Sequence, residues 1–264
     1  MNNADILTVE KITTHLRSGI PPEYIRLYPV LASTNDTAKE LALSGAPPGT
    51  VVIAAEQTSG KGRMGRKFYS PPDSGIYLSM ILRPHLSVDR LLLLTTGVAV
   101  AGAQAIEQVC ERKIQIKWVN DLYAGGKKIA GILTEASGDG HVIVGIGVNV
   151  NESAEGFPGE LAEKAGVLSD AGQPVSRCLL LAGLIDSIWQ MSGELGKPSG
   201  DYVDRLLAEA RKRSCVLGRE LRVEGYAGLT TARAEEIDEH GFLVVVDGQG
   251  TRHVLNSGEI SLRI

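Results

Sequence analysis

QTSGKGRMGRKF, residues 57–68, lies between two apolar runs, TVVIAAE (50–56) and GIYLSMILR (75–83), and its reading decides the fold. Glycines 60, 62 and 65 satisfy the GxGxxG spacing of a dinucleotide-binding turn. That turn works only where its glycines open a helix whose N-terminus faces a pyrophosphate. Here RKFYSPP (66–72) follows, and its paired prolines cannot continue such a helix. The ATP P-loop fails too. Its lysine must come straight after the second glycine of GxxxxG and precede Ser or Thr, whereas Gly65 is followed by Arg66 and Lys67. What remains is a strand–loop–strand connection, bendable at its glycines and carrying Lys61, Arg63, Arg66 and Lys67. Such a loop suits closing over an anionic ligand, ordering when the charge arrives. A solvated basic loop of no special role has the same composition.

On the N-terminal side, Ile6, Val9, Ile12 and Leu16 share one helical face over 6–17, ending before Gly19 and Pro21-Pro22. A strand over 24–30 follows, then Ser33 to Asp36 as caps for a helix ending near Gly45. Downstream, 87–109 is rich in Leu, Val and Ala and reads as a buried helix capped by Ser87. Strands are expected at 114–118, 127–137 and 141–150, with Gly125-Gly126 as a turn. Two helical patterns, 175–195 and 200–213, are separated by Gly196 and Pro198. From 219 to 263 short runs alternate apolar and polar residues between glycines, the pattern of a small antiparallel barrel. The expected organisation is a mixed α/β domain over 1–214 and an all-β domain over 215–264.

The chain has 264 residues, 43% of them apolar, enough for a sizeable core. A formal net charge of −4 argues against a nucleic-acid binder over its whole surface, though not against a local basic patch. Cys110, Cys178 and Cys215 lie far apart without metal-ligand spacing, which suits a reducing cytoplasm rather than a disulfide framework. MNNADILTVEKITTHL lacks a secretory pattern, and no apolar stretch approaches the ~20 residues of a membrane span.

A second polar cluster lies in KWVND (117–121) and KKIAGILTE (127–135). Neighbouring Lys127 and Lys128 point to opposite faces of a strand. Either both snorkel to water beside the hairpin, or one turns inward, where a lone ammonium is costly unless an anion meets it. In GIGVNV (145–150), alternate glycines strip side chains from one face, so that a ligand or another packed element can approach the backbone. Asn149 at the strand end suits reading a base or ribose, or capping a turn.

Taken together, Ser33-Thr34-Asn35, GKGRMGR (60–66), KWVND, KKIAGILTE, GIGVNV and GEISLR (258–263) resemble the biotin protein ligase family in order and spacing, from about residue 24 to the C-terminus. The resemblance implies an α/β catalytic domain followed by an SH3-like barrel. It implies biotin contacts from Ser33, Thr34, Asn35, Gln57, Gly60, Lys61, Gly62, Arg63, Lys128, Gly131, Gly145 and Gly147, with Ser33, Thr34 and Gln57 on the ureido head. It implies nucleotide contacts from Arg63, Arg66, Lys67, Phe68, Asn120, Lys128, Asn149 and Arg263, with Glu259 also facing the nucleotide. Lys128 and Arg63 are the implied catalytic cations, and Asp121 a partner for the proton of the attacking lysine.

ATP with Mg²⁺, and biotin, are the implied substrates; no resident metal is expected. The implied acceptor is a biotin carboxyl carrier protein, a carboxylase subunit. A homodimer is compatible with the family. Only 32 residues precede Ser33, so a DNA-reading domain of the kind some members carry is not expected, and neither is specific DNA binding. This chain departs from the family pattern in having Lys61 for Arg, Val119 for Pro and Phe68 for Trp. The first keeps charge but loses the bidentate fork. The alternatives are a lipoate or octanoate ligase, which needs no ureido-binding set, and a biotin-dependent regulator without transfer.

Overall fold

Alternation of side chains across the strands builds one sheet with two unlike faces. The computed structural model describes residues 6–84, 86, 91–138, 140–169, 174–197, 201–226, 229–256 and 259–262. Seven strands form the main sheet: β1 (Ile25–Leu31), β2 (Val51–Gln57), β3 (Gly75–Leu82), β4 (Gln115–Lys117), β5 (Asp121–Ala124), β6 (Lys127–Ala136) and β7 (Val142–Asn149). Their order is β1-β2-β3-β7-β6-β5-β4, with β1 and β2 parallel and the other pairs antiparallel. Along β7, Val142, Val144, Ile146 and Val148 enter the main core, where they meet Leu78 and Met80 of β3 and Ala130 and Ile132 of β6. Helices α3 (Leu91–Val109) and α5 (Arg177–Leu195) cover this face, contributing Val98, Ile106, Leu181, Leu184 and Ile188. Each such buried aliphatic side chain stabilises the fold by about 1.5–3 kcal/mol.

The opposite face is only partly covered. Helix α2 (Thr34–Leu43) lays Ala38 and Ala42 on Val52, Ile81 and Ile143. Beyond Ala38 and Ala42, the same face continues through Tyr77, Gly145, Gly147 and Gly131, of which the first turn of α2 reaches Gly145 through Asn35.

The expected helix over 6–17 is shorter than its pattern. Helix α1 runs only Val9–Thr13, because Asp186 of α5 accepts the backbone N–H groups of Arg17 and Ser18 and draws the chain away. The N-cap position of α2 is Ser33, but its side chain makes no capping bond. Strand β5 and the short helix α4 (Leu161–Lys164) were not apparent from composition. Gly125 and Gly126, at φ +57° and +80°, make the hairpin turn between β5 and β6. Ser87, Pro198, Gly228, Gly258 and Arg263 lie outside the described residues.

After α6 (Asp201–Arg213), five strands form the second sheet: β8 (Glu220–Glu224), β9 (Thr231–Ile237), β10 (Leu243–Val246), β11 (Arg252–Leu255) and β12 (Glu259–Leu262). They pair antiparallel in the order β11-β10-β9-β8-β12, the small all-β unit expected. Its core is shared with the first unit: Leu93, Trp118, Val119 and Leu207 pack with Leu221, Ala234, Leu243 and Ile260. The Trp118 indole N–H donates to Gly241 O at 3.0 Å, fixing the turn between β9 and β10 against the end of β4. Among the described residues no helix is long and apolar enough to cross a membrane.

Candidate active site

The part of the main sheet around Gly131, Gly145 and Gly147 is the floor of a cavity of about 490 Å³. Its depth comes from glycines. Gly131 and Gly147 are direct partners in the β6–β7 ladder, and Phe68 lies over them. A Cβ on Gly147 would overlap the Phe68 ring, and one on Gly145 would overlap the Asn35 amide. The stripped face of GIGVNV is therefore filled in part by two side chains of the protein itself.

One end of the cavity is polar and neutral at its surface. Thr34 N donates to Gln57 Oε1 at 2.8 Å, and Gln57 Nε2 donates to Ser70 Oγ at 2.9 Å. This fixes the orientation of the Gln57 amide. Ser79, fully buried, donates to Asn35 Oδ1 at 2.6 Å and lies 2.7 Å from Thr34 Oγ1. Asn35 Nδ2 in turn donates to Glu135 Oε2 at 2.7 Å, and Lys39 Nζ sits 2.9 Å from Glu135 Oε1. Burial alone would raise the Glu135 carboxyl, but the Asn35 amide and the Lys39 ammonium hold it below its ordinary range. Ser33, Thr34, Asn35 and Gln57 thus line the cavity, the last three with orientations set from behind. Ser79, Ser70, Glu135 and Lys39 escaped the sequence reading. The signals were a lone serine inside an apolar strand and the carboxylate ending KKIAGILTE.

Gly145→Ala tests this support. The added methyl displaces Asn35 from both Ser79 and Glu135, two hydrogen bonds in a closed space. We expect a loss of about 1–3 kcal/mol in stability, read by urea unfolding. An unchanged midpoint and slope would show that Asn35 is not held as described.

The other end is cationic. The glycine-rich segment is not a loose coil but a small hairpin. Phe68 N donates to Gly60 O at 2.8 Å, Gly62 N to Arg66 O at 2.7 Å, and Lys61 and Lys67 pair across it. Its tip, Arg63–Gly65, turns through Met64 and Gly65 at φ +55° and +74°. Two clasps tie it down: Lys61 pairs with Asp36 of α2, and Arg63 Nη1 donates to Asn120 Oδ1 at 3.1 Å. The order expected only on ligand arrival is already supplied by these bonds.

Lys128 reaches the cavity because of a β-bulge. The β5–β6 register shifts between Leu122 and Tyr123, so that Asp121 faces Gly131 while Tyr123 faces Lys128. Strict alternation would put residues 128 and 131 on opposite faces; the extra residue brings them to the same one. Lys128 Nζ lies 2.6 Å from Asp121 Oδ1, an ion pair without hydrogen-bond geometry. Lys127 is exposed on the other side, with Nζ 3.4 Å from Ala162 O. Tyr123, also on the cavity wall, has its phenol pushed up to about 12 by burial and then by the Asp121 charge, so it stays neutral at pH 7.

Lys61, Arg63, Arg66 and Lys67 of the hairpin, Lys117 and Lys128 of the sheet, and Lys164 of α4 all line the cavity; among the described residues Asp121 is the one carboxylate that does. In a chain of net charge −4, this concentration of cations is a site for an anion. Gly62, Gly131, Gly145, Gly147, Phe68 and Asn120 also line it. Gly60 does not; Phe68 O and Ser70 Oγ occupy the space beside it. Asn149 does not either, since its Nδ2 donates to Gly166 O at 3.1 Å and ties down the chain after α4. Lys117, Trp118, Tyr123, Lys164 and Ile260 line the cavity without having been singled out as ligands.

Residues 27–151 match the biotin/lipoate A/B protein ligase family, and residues 216–263 match the biotin protein ligase C-terminal domain. Among curated proteins, the bifunctional ligase/repressor BirA of Bacillus subtilis is 34% identical over 95% of this chain and 78% of its own length. The biotin–[acetyl-CoA-carboxylase] ligase of Mycobacterium tuberculosis is 31% identical over 88% of this chain and 87% of its own. The structure of biotin protein ligase from Aquifex aeolicus in complex with biotin and ATP superposes with a TM-score of 0.79 at 29% identity. That match covers 90% of this chain and 98% of the other.

Proposed function

This chain belongs to the biotin protein ligase family, and from that premise we propose that it joins biotin to a lysine of a biotin carboxyl carrier protein in two steps that consume ATP. The observation that carries this reading is a single cavity with a neutral hydrogen-bonding end and a cationic end. Biotin, with a neutral ureido head and a carboxylate tail, matches that polarity, and the triphosphate matches the cations.

In the first step a biotin carboxylate oxygen attacks the α-phosphorus of ATP, and pyrophosphate leaves with the electrons of the broken P–O bond. Two anions have to approach, so positive charge fixed in advance lowers the barrier. Lys128 lies over Gly131 on the cavity floor and Arg63 reaches from the hairpin, which suits both to the carboxylate and the α-phosphate. In the second step the neutral ε-amine of the carrier lysine attacks the acyl carbon and AMP leaves. Asp121 is the carboxylate on hand to take the proton. The hairpin above the site excludes water from the mixed anhydride.

The residues fit a Mg²⁺ that arrives on the nucleotide. Among the described residues there is no cluster of three side chains able to hold a metal, and Asp121 is the one carboxylate lining the cavity. Such an ion takes most of its ligands from phosphate oxygens and water, and it would supply further neutralisation of the phosphates. Three free thiols suit the cytoplasm as its place of work.

The test is ATP–pyrophosphate exchange. We expect exchange that requires both biotin and Mg²⁺ and is absent with lipoate in place of biotin. Equal exchange with lipoate, or none with either acid, would overturn the reading.

A further inference from the structure

A second opening reaches the same site with the opposite charge. A groove of about 750 Å³ runs beside the cavity and shares Gln57, Lys67, Phe68 and Leu161 with it. The end of β2 and the returning arm of the hairpin form one wall, and residues 153–161 form the other. Tyr69 and Phe157 meet edge to face near it, with ring centroids 6.2 Å apart, and Pro71, Pro72 and Pro158 stiffen its sides. Its charged lining residues are Glu56, Glu155 and the shared Lys67. Among the described residues, the cavity proper presents seven cations and one carboxylate.

That contrast matters for the second step. The acceptor lysine approaches as an ammonium and has to be brought up to an acyl carbon surrounded by cations. A route over the cationic rim is repulsive, whereas the groove offers net negative charge right up to the Phe68 partition. We propose that this groove is where the acceptor polypeptide docks, its lysine drawn in past Glu155 and Glu56 while apolar residues flanking it rest on Tyr69 and Leu161. Leu161 is 39% exposed and borders both spaces, so a partner seated there covers apolar surface continuous with the active site. The proposal rests on the ligase reading, and its test separates the two.

The experiment compares the wild type with the charge-reversed Glu56→Lys/Glu155→Lys protein in three assays: biotin-dependent pyrophosphate exchange, capture of the acyl group by hydroxylamine, and transfer to a biotin carboxyl carrier domain. Neither glutamate lines the cavity, so exchange and hydroxylamine capture should match the wild type. The KM for the carrier domain should rise about ten-fold, with a weakened dependence on salt. Wild-type exchange without biotin dependence would sink the ligase reading itself. Unchanged carrier KM, or exchange falling in parallel with transfer, would sink the docking proposal alone. So would a change in sedimentation of the protein with transfer unaffected, which would make the groove a contact between copies. Should the double variant fail to fold, Glu155→Gln on its exposed turn gives the same reading at about three-fold in KM.

Discussion

Replacing Lys128 with Ala lowers biotin-dependent pyrophosphate exchange by about 10²-fold or more, the scale found when one preorganised group facing developing charge is removed. Lys128 lies over a glycine, where no Cβ competes for the space, with Asp121 holding its ammonium at 2.6 Å. Arg at this position should recover little, because its planar head is bulkier than the ammonium that sits over Gly131 beside Asp121. The fold should persist. Lys128 is one-third exposed and stands in the cavity wall, outside the apolar core, so its removal leaves the packing intact; the buried Asp121 Oδ1 that loses its partner should cost some stability without unfolding the chain. Near-native circular dichroism with exchange lost is the expected combination. Lys127→Ala is the control and should exchange like the wild type, since its side chain lies on the outer side of the strand. If the two variants behave the other way round, the role belongs to Lys127 and the bulge does not aim the site.

Arg63→Gly should separate making the adenylate from holding it. Arg63 stands at the tip of the hairpin and ties it to the sheet through Asn120. Charge-assisted bonds of this kind contribute roughly 1.5–3 kcal/mol. Losing them, with a fourth glycine added to the segment, should let biotinyl-adenylate escape about ten- to a hundred-fold faster. Synthesis should continue at a reduced rate, because Lys128 still faces the phosphate. The freed anhydride acylates amines without selection, so albumin included in the reaction should become biotinylated in the presence of biotin and ATP. Adenylate that forms but leaves no faster than from the wild type would remove the clamp role. Complete loss of synthesis would move Arg63 into the first chemical step.

Much of the architecture is legible locally. The short apolar runs TVVIAAE and GIYLSMILR, the Gly125-Gly126 turn and the glycine-punctuated alternating runs after residue 219 each report a backbone geometry that neighbouring residues enforce. The failed patterns are equally local: the prolines after residue 70 rule out the helix of a dinucleotide turn, and Arg66-Lys67 after Gly65 lacks the Lys-Ser/Thr pair of a P-loop. Cationic and polar site residues were legible as types at spacings. Their supporting groups were not: Ser79, Ser70 and Lys39 belong to no motif, and they act only through contacts between segments far apart in sequence.

The sequence by itself determined a strand–loop–strand segment rich in cations and a pair of neighbouring lysines that point to opposite faces of a strand. It also determined that alternate glycines strip one face of β7, and that a small all-β unit follows. Only the tertiary structure decided which lysine turns inward, because the register shift between Leu122 and Tyr123 depends on pairing two strands. It decided what fills the stripped face, since Asn35 and Phe68 arrive there from other segments. It decided that Asn149 caps the chain after α4 instead of entering the cavity. And it decided that the hairpin is ordered, because Asp36 and Asn120, which clasp it, come from elements 25 and 57 residues away. Local sterics and periodicity are written residue by residue, whereas register, occupancy and ion pairing are set when distant segments meet.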